Sequence, residues 1–574
     1  LALMQRQPGT VLDRTIASEI ALRDGARAVI LPTVAEVGGK VRVSAEVIDP
    51  HTQATVYAEF ADGTGAASTL RSIDHVTAAL RGRLGEAVES IEKTSAPLPQ
   101  VSTANLDALR AYALAQHAYA RVRFAEALRF YERATRIDPQ FALAWIGQSK
   151  IQVATQHAPD GVFAIRKAQA LRARLPQREA LYLDAWASVF DAPADTSTKW
   201  QDLAGLYPDF WPAVGNSATW LFSQNRLHEA LPYARRWTAQ QYELASHGYD
   251  MLGRLYLGME RYPEAARAFD QALALGFVDC MRRRASVESA QRRFAEASRW
   301  LRRAGTREPY PYLDRISAAV DQGRWAEAVA ASDAAFAMVE HQAGLDRRIF
   351  PLPAATAHWM AGDAGRARSL LGQAQRLALA SLQNSPDADA EDDAALAASS
   401  ALLALRFGDV ATASPVPAAL KSQPKVLAIP KVAELVALVE AEAARRAHAP
   451  ARAIALLEPL VTGHEQYQTH VALLEAYADA GRLSSAIEQA RWLQHHRGLA
   501  YIELGGAQVL QALNVYDSNL AILREAELQQ ASNHPADAAR ALRRFDAIWP
   551  VEVLPAYLRV RRDAVAAASR LGTV

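Results

Sequence analysis

The densest chemical feature of the sequence is a cluster of arginines between positions 282 and 303. Its members have few acidic neighbours: Arg282, Arg283, Arg284, Arg292, Arg293, Arg299, Arg302 and Arg303. Guanidinium groups bind carboxylates and phosphates through paired hydrogen bonds, so a solvent-facing cluster would hold an acidic peptide or phosphate groups. The alternative, which we favour, is that the arginines point variously into solvent and pair with Glu288, Glu296 and Glu308, each pair contributing less than ~1 kcal/mol.

Residues suited to catalysis or metal binding are sparse. The sequence has no phosphate-binding glycine loop, G-x-S-x-G elbow, H-E-x-x-H helix or paired C-x-x-C. His495 and His496 are adjacent, so on a helix their rings would point to different sides. Cys280 is the single cysteine and is expected to be a buried structural thiol. We therefore predict no catalytic residue, no cofactor and no metal site, and expect that the chain is not an enzyme.

The helices that position the arginines follow a repeated pattern, clearest between residues 249 and 272. Its key residues are Tyr249, Leu252, Gly253, Tyr256, Ala265, Phe269 and Ala272. This is the W-x2-L-G-x2-Y and A-x3-F spacing of a tetratricopeptide (TPR) repeat, and the chain resembles TPR proteins. In such a repeat two antiparallel helices meet, so small Gly253 and Ala265 are predicted to lie where the helices touch.

The second half of the pattern recurs along the chain. Clear copies begin at Ala127, Ala297, Ala367 and Ala538, and weaker copies at Ala230, Ala328, Ala453 and Ala486. One helix pair cannot bury its own apolar face, so neighbouring pairs must stack on it. The predicted fold is mostly α, a TPR-like α-solenoid in which antiparallel helix pairs form a superhelix, preceded by a small α/β domain.

The sequence predicts five segments. Residues 1–94 form a small α/β module: a helix near 11–24, strands near 28–31, 40–49 and 54–60 with a Gly38-Gly39 hairpin turn, and a helix near 66–91. Residues 95–104 are a linker, and 105–382 a TPR solenoid. Residues 383–393, which include Glu391, Asp392 and Asp393, are predicted to be a solvated acidic loop. Residues 394–574 are degenerate TPR-like repeats with a capping helix.

Candidate partner-binding residues follow from the TPR resemblance, because the first helix of each pair lines the concave groove. They are Tyr112, Gln116, Tyr119, Asp250 and Arg254, together with Arg282, Arg283, Arg292 and Arg293 of the cluster. Solvation without a ligand is the alternative at each position. The Lys and Asn pattern of a carboxylate clamp is absent from these positions, so capture of an acidic C-terminal tail is not expected.

The amino-acid sequence of residues 22–53 supports a second resemblance. The stretch LRDGARAVILPTVAEVGGKVRVSAEVIDPHTQ is similar to the α/β module that precedes TPRs in bacterial signalling proteins, most of all the peptide modification system cyclases. In those families a cyclase-like, kinase-like or winged-helix domain comes first. The chain begins at Leu1, and the resemblance implies that such a domain, with any transmembrane anchor, lies upstream.

Composition limits the partners. Lys and Arg number 63 against 62 Asp and Glu, a formal charge of +1, which gives no overall attraction for nucleic acid or an anionic membrane. No apolar run approaches the ~20 residues that cross a bilayer. We therefore expect a soluble region, without membrane contact of its own, of a membrane-anchored bacterial protein; periplasmic and cytoplasmic locations both stay open.

Two functions remain as hypotheses. The first is a scaffold or sensor that binds a protein or peptide, the C-terminal part of a cyclase-like or kinase-like receptor linked to peptide modification. The alternative is the effector arm of a transcriptional regulator with an upstream DNA-binding domain. The nature of the upstream domain would discriminate between them.

Overall fold

The computed structural model describes residues 11–65, 68–86, 102–239, 244–384, 387–504 and 508–571. It divides into two compact units. Unit 1 comprises residues 1–152 and 163–183, and unit 2 comprises residues 153–162 and 184–574. Much of the predicted linker at 95–104 lies outside the described residues.

The chain begins with the predicted α/β module. Its elements are α1 (Arg14–Arg23), β1 (Val29–Val37), β2 (Lys40–Ile48), β3 (Thr55–Gly63) and α2 (Thr69–Arg83). The strands form an antiparallel sheet in the order β1-β2-β3. Gly38 and Gly39 make the first hairpin turn with φ of 57° and 76°, values that an L side chain rarely adopts. Val43, Ala45 and Val47 alternate along β2 and are buried against α2, as the sequence predicts.

The third strand alternates as predicted, but its predicted apolar face, which includes Val56 and Phe60, is turned away from α2. Tyr57 pairs with Val47 and Ala61 with Val43, which places Tyr57, Glu59 and Ala61 on the helix side of the sheet. Val56 and Phe60 therefore remain 54% and 57% exposed. The pairing register decides which face is buried, and the apolar pattern of a single strand does not reveal that register.

The remaining elements of unit 1 are helices. They are α3 (Leu106–Ala120), α4 (Phe124–Ile137), α5 (Ala142–Ala154), α6 (Ala158–Ala170) and α7 (Gln177–Asp191), the last three only in part. The first two pack against each other as a pair. Asn105 caps α3, because its side chain accepts hydrogen bonds from Asp107 N and Ala108 N. Ala127 is fully buried between α3 and α4, and a Cβ on Gly147 would lie 2.4 Å from the Tyr131 ring. Small residues therefore set the close packing of these helices.

Unit 2 continues with helix pairs. Its first helices are α8 (Thr196–Leu206), α9 (Trp211–Ser223), α10 (Leu227–Trp237), α11 (Ala245–Gly258), α12 (Tyr262–Ala274), α13 (Met281–Ala290), α14 (Phe294–Ala304), α15 (Tyr310–Asp321), α16 (Trp325–Val339), α17 (Leu345–Ile349), α18 (Pro351–Met360) and α19 (Ala364–Asn384). The later helices are α20 (Ala390–Arg406), α21 (Val410–Ala413), α22 (Val416–Lys421), α23 (Pro424–Leu427), α24 (Pro430–Arg446), α25 (Pro450–Leu457), α26 (Tyr467–Asp479), α27 (Leu483–His495), α28 (Arg497–Ile502), α29 (Gln511–Ala531), α30 (Pro535–Ile548) and α31 (Ala556–Leu571).

The small residues predicted at the helix contacts lie there. Ala265, Ala297 and Ala538 are at most 1% exposed. A Cβ on Gly253 would lie 2.5 Å from the Phe269 ring, so α11 can approach α12 only because this residue is glycine. The predicted fold class, TPR-like helix pairs preceded by a small α/β domain, is confirmed.

The turn inside each pair contains a residue in the left-handed conformation, at the same offset before the anchor alanine. Glycine occupies it at Gly323, Gly362 and Gly481, but other pairs carry side chains there: Val122, Asn225, Glu260, Arg292, His448 and Asn533. A non-glycine residue pays about 1–2 kcal/mol for this conformation. Contacts made by these side chains must offset that cost.

The acidic segment 383–393 differs from its prediction as a solvated loop. Residues 385–386 lie outside the described residues, but residues 390–393 form the first turn of α20. Asp393 is fully buried, and Arg348 Nε lies 2.6 Å from its Oδ1. Carboxylates are favourable at a helix N-terminus, and Arg348 supplies the opposite charge that permits burial. Sequence composition does not reveal a partner so far away.

The inner face of unit 2 is filled by the chain itself. Most residues of α29 are buried, and α28 and α29 pack on the first helices α11, α13 and α15 of earlier pairs. The TPR resemblance predicts that this face is a groove open to a partner. Within unit 2 the late helices cover a large part of that groove.

Candidate functional site

Three predicted groove residues, Tyr112, Gln116 and Tyr119, lie together on α3 in unit 1. Tyr131 Oη donates a hydrogen bond to Gln116 Oε1 over 2.9 Å, and Gln116 Nε2 donates to Tyr112 Oη over 2.5 Å. The amide is thus held by two phenols. Gln116 itself is exposed, whereas Tyr112 and Tyr119 are half-buried.

The next helices of unit 1 bring a lysine and a further tyrosine to the same place. Lys150 Nζ lies 4.3 Å from the centre of the Tyr119 ring and 5.9 Å from that of Tyr182. An ammonium group over an aromatic face is attracted by the ring quadrupole. We call Tyr112, Gln116, Tyr119, Lys150 and Tyr182 the tyrosine–lysine groove.

This groove offers hydrogen-bond donors on an aromatic surface. Burial raises the pKa of Tyr112 to about 12, so its phenol stays protonated at neutral pH. The phenol, the Gln116 amide and the Lys150 ammonium can bind carbonyl and carboxylate oxygens, while the rings contact apolar groups. The arrangement is suited to holding a peptide.

Lys150 and Tyr182 are not recognisable as groove residues in the sequence, because α5 and α7 lack the TPR anchor residues. A signal was nevertheless present, because Gln116 and Lys150 are separated by about 34 residues, one TPR length.

Asp250 and Arg254 lie inside unit 2 rather than on an open groove. The Asp250 carboxylate is 2.7 Å from Arg254 Nη2 and 3.1 Å from Arg283 Nη1. Burial alone would raise the pKa of Asp250, but the two guanidinium groups outweigh burial and hold it below its ordinary value. Arg283 is likewise buried, so these three residues form an internal ion cluster.

The arginine cluster is divided between the interior and the surface: Arg282 and Arg283 are buried and Arg284 and Arg292 half-buried, whereas Arg293, Arg299, Arg302 and Arg303 are exposed. Arg282 Nη1 lies 2.9 Å from Asp314 Oδ2, and its Nη2 donates to Gln508 Oε1 over 2.9 Å. Arg292 Nη1 lies 3.1 Å from the fully buried Asp321, while Arg293, half of whose side chain is exposed, pairs with Glu288 over 2.6 Å. Acids of neighbouring repeats neutralise the inner arginines. Of the pairs foreseen in the sequence, those with Glu288 and Glu296 form, the latter with Arg299.

The side chains of three left-handed turn residues contact α28, Glu503 and α29. Asn225 Nδ2 donates to Glu503 Oε1 over 2.7 Å, and Arg292 Nη2 donates to Asn519 Oδ1 over 2.6 Å. Glu260 accepts hydrogen bonds from Gly498 N and Leu499 N at 2.9 and 3.1 Å. These contacts account for side chains at turns where other pairs have glycine.

The other residues considered for chemistry have structural surroundings. Cys280 is buried, as predicted, and burial raises its thiol pKa to about 12. His495 and His496 point to different partners, since His495 lies beside the Arg491 carbonyl and His496 stacks on Trp492. Within the described ranges, no group of three or more His, Cys, Asp or Glu side chains could hold a metal ion. No helix among the described residues has both the length and the apolar character needed to span a bilayer.

Comparisons with known proteins return structures only, since no protein-family model and no curated protein matches the chain. The APC/C hetero-tetramer Cut9–Hcn1 is 11% identical, with 82% of this chain and 96% of that chain covered and a TM-score of 0.38. The P58(IPK) TPR domain is 14% identical, with 81% and 98% covered and a TM-score of 0.19. Yeast Tom70 is 12% identical, with 81% and 96% covered and a TM-score of 0.26. At these scores the similarity carries no argument, and the TPR-like assignment rests on the helix pairs described above.

Proposed function

We propose that this chain is a protein-binding scaffold whose tyrosine–lysine groove receives an extended segment of a partner protein. The observation that carries the proposal is that Lys150 of α5 lies over the rings of Tyr119 on α3 and Tyr182 on α7. In unit 2 the equivalent inner face is largely taken up by α28 and α29. The first pairs are therefore the better place for a partner.

The chemistry of the groove favours a segment with an acidic side chain. Lys150 is the cation among the five residues, and it lies over Tyr119, on the same helix as Gln116. We therefore expect the carboxylate of a bound segment to pair with Lys150. The tyrosines add large apolar area with few rotatable bonds, which lowers the entropy cost of binding. An internal acidic residue satisfies this arrangement, and no C-terminal carboxylate is needed.

A peptide selection tests the proposal. Random 12-residue peptides displayed on phage would be selected against the full chain, and the Kd of a winning peptide measured by fluorescence anisotropy. We expect an Asp or Glu in the winners, and about tenfold weaker binding, about 1.4 kcal/mol, after Lys150→Met or after the peptide acid is changed to its amide.

The matched control is Lys167→Met, which removes an exposed lysine elsewhere in unit 1. It should leave the Kd unchanged. A selection without any binder would refute the groove, and so would a winner that binds the Lys150→Met chain as tightly as the wild type.

The wider context we propose is a bacterial signalling protein linked to peptide modification, with a cyclase-like or kinase-like domain and a membrane anchor upstream. The order of an α/β module before TPR-like pairs supports it. The alternative, an effector arm of a transcriptional regulator, has the same order downstream of a DNA-binding domain. Sequencing the reading frame upstream of Leu1 decides: a cyclase or kinase core supports the first, and a winged helix supports the second.

A further inference from the structure

A cavity of about 320 Å³ lies in unit 2, between helices that are far apart in sequence. Its walls are the turn between α9 and α10, the start of α24, the loop before α26, and Glu503. This volume lies within the usual range of ligand sites.

Two carboxylates in the wall of this cavity have no ion-pair partner within the described chain. Glu434 Oε1 accepts hydrogen bonds from Gln466 N at 2.7 Å and Thr469 Oγ1 at 2.5 Å. Glu503 accepts from Asn225, Tyr467 N and Asn514 at 2.7 to 2.9 Å. All these partners are neutral. By contrast Glu442, on the same helix as Glu434, pairs with two arginines.

The cation nearest in sequence does not neutralise Glu434. Lys431 lies one helical turn before it, but its Nζ donates to the Leu504 carbonyl over 2.9 Å and lies 4.0 Å from Glu391. At the rim, Arg226 pairs with Glu229, and Glu465 with His470. Burial accordingly raises the pKa of Glu434 to about 7, the mark of a carboxylate that lacks a counter-ion.

A further acceptor in the wall is unused. Gln466 is 3% exposed, and its Nε2 donates to the Lys431 carbonyl over 3.1 Å. Its Oε1 is buried without a hydrogen-bond partner. A buried acceptor without a partner costs about 1–3 kcal/mol, so a bound donor would gain from it.

We propose that this cavity binds an organic cation, an ammonium group on a short aliphatic chain, with Glu434 as its counter-ion. Glu503 adds negative potential, and Gln466 adds a neutral acceptor. The apolar wall formed by Pro430, Pro459 and Leu460 suits the methylene groups of such a ligand. The same chemistry is carried by a free diamine and by a lysine side chain of a protein.

Calorimetric titration of the full chain with matched probes tests the site. Nα-acetyl-lysine methylamide should bind saturably, and the uncharged Nα-acetyl-norleucine methylamide at least tenfold more weakly. Glu434→Gln should weaken the lysine probe at least tenfold, because it removes the charge but keeps an oxygen for Gln466 N and Thr469. The matched control Glu440→Gln, at an acid of the same helix that pairs with Lys421, should change nothing.

A cavity-filling variant and a second probe complete the test. Leu460→Trp fills the cavity from its apolar wall and should abolish binding without altering any carboxylate. Titration with 1,5-diaminopentane compares the sources: tighter binding of the diamine indicates a free amine, and tighter binding of the lysine probe indicates a protein side chain. Absence of saturable binding by either probe would overturn the proposal. Equal binding by the Glu434→Gln chain would do the same.

Discussion

The close approach of α28 to α11 predicts that replacing a helical glycine by alanine is destabilising at one position. Gly498 is helical, and an ideal Cβ there would lie 2.0 Å from the Leu257 carbonyl oxygen. Replacing a helical glycine by alanine ordinarily stabilises by about 1 kcal/mol. At Gly498 we expect the reverse, because the obstacle is backbone and cannot rotate away.

The magnitude follows from what must move. Overpacking in a core costs about 1–3 kcal/mol. Moving α28 away from α11 also lengthens the hydrogen bonds from Gly498 N and Leu499 N to the Glu260 carboxylate, each worth about 1.5–3 kcal/mol. After subtracting the helix-propensity gain, Gly498→Ala should cost about 3 kcal/mol in the local opening of residues 497–502.

Hydrogen–deuterium exchange read by mass spectrometry measures this opening directly. A loss of about 3 kcal/mol corresponds to about 100-fold faster exchange in a peptide covering residues 497–502. The matched control is Gly205→Ala in α8, where no atom lies within 4 Å of the added methyl group. It should be neutral or stabilising. If Gly498→Ala exchanged at the wild-type rate, the docking of α28 on α11 would be wrong.

Three further predictions concern stability in unit 2. Ala265→Leu should lower the free energy of unfolding by about 1–3 kcal/mol in urea titrations, because the larger side chain separates α11 from α12. Ala274→Leu, on the exposed side of α12, should have little effect. Equal effects of the two substitutions would contradict the contact between α11 and α12. Asp321→Asn should lower the free energy of unfolding by about 3–5 kcal/mol, because Arg292 and Arg497 lose a fully buried partner. Glu296→Gln, at an exposed ion pair, should lower it by less than about 1 kcal/mol. A similarly small loss for Asp321→Asn would refute the buried network. Burial raises the pKa of Glu434 from 4.5 to about 7, so between these pH values the folded chain binds a proton that the unfolded chain has released, and the free energy of unfolding should fall as pH rises. Glu434→Gln should reduce this fall in urea titrations at pH 5, 6, 7 and 8. An unchanged pH dependence in the variant would contradict the raised pKa.

The repeat geometry could be predicted because it depends on local spacing. Gly253 and Ala265 are small at fixed positions of one pair, and a contact between consecutive helices leaves that record in sequence. The same local spacing places Tyr112, Gln116 and Tyr119 on one face of α3. The groove position of Lys150 could not be predicted, because α5 lacks the anchor residues that fix the register of the repeat.

The filled inner face of unit 2 could not be predicted from spacing. Arg292 pairs with Asp321 in a nearby repeat, but its second partner, Asn519, comes from a helix far along the chain. Nothing local distinguishes such an arginine from one that points into solvent. The same holds for Asp393, whose burial depends on Arg348.

The central claim is that the groove open to a partner lies in unit 1, while the chain fills the inner face of unit 2. It can be tested by maleimide labelling of single thiols placed in a Cys280→Ala background. We predict that the Gln116→Cys thiol reacts as fast as a free peptide and that the Ser518→Cys thiol, at a position 1% exposed, reacts at least about 100-fold more slowly. Equal reaction rates of the two thiols would contradict the account.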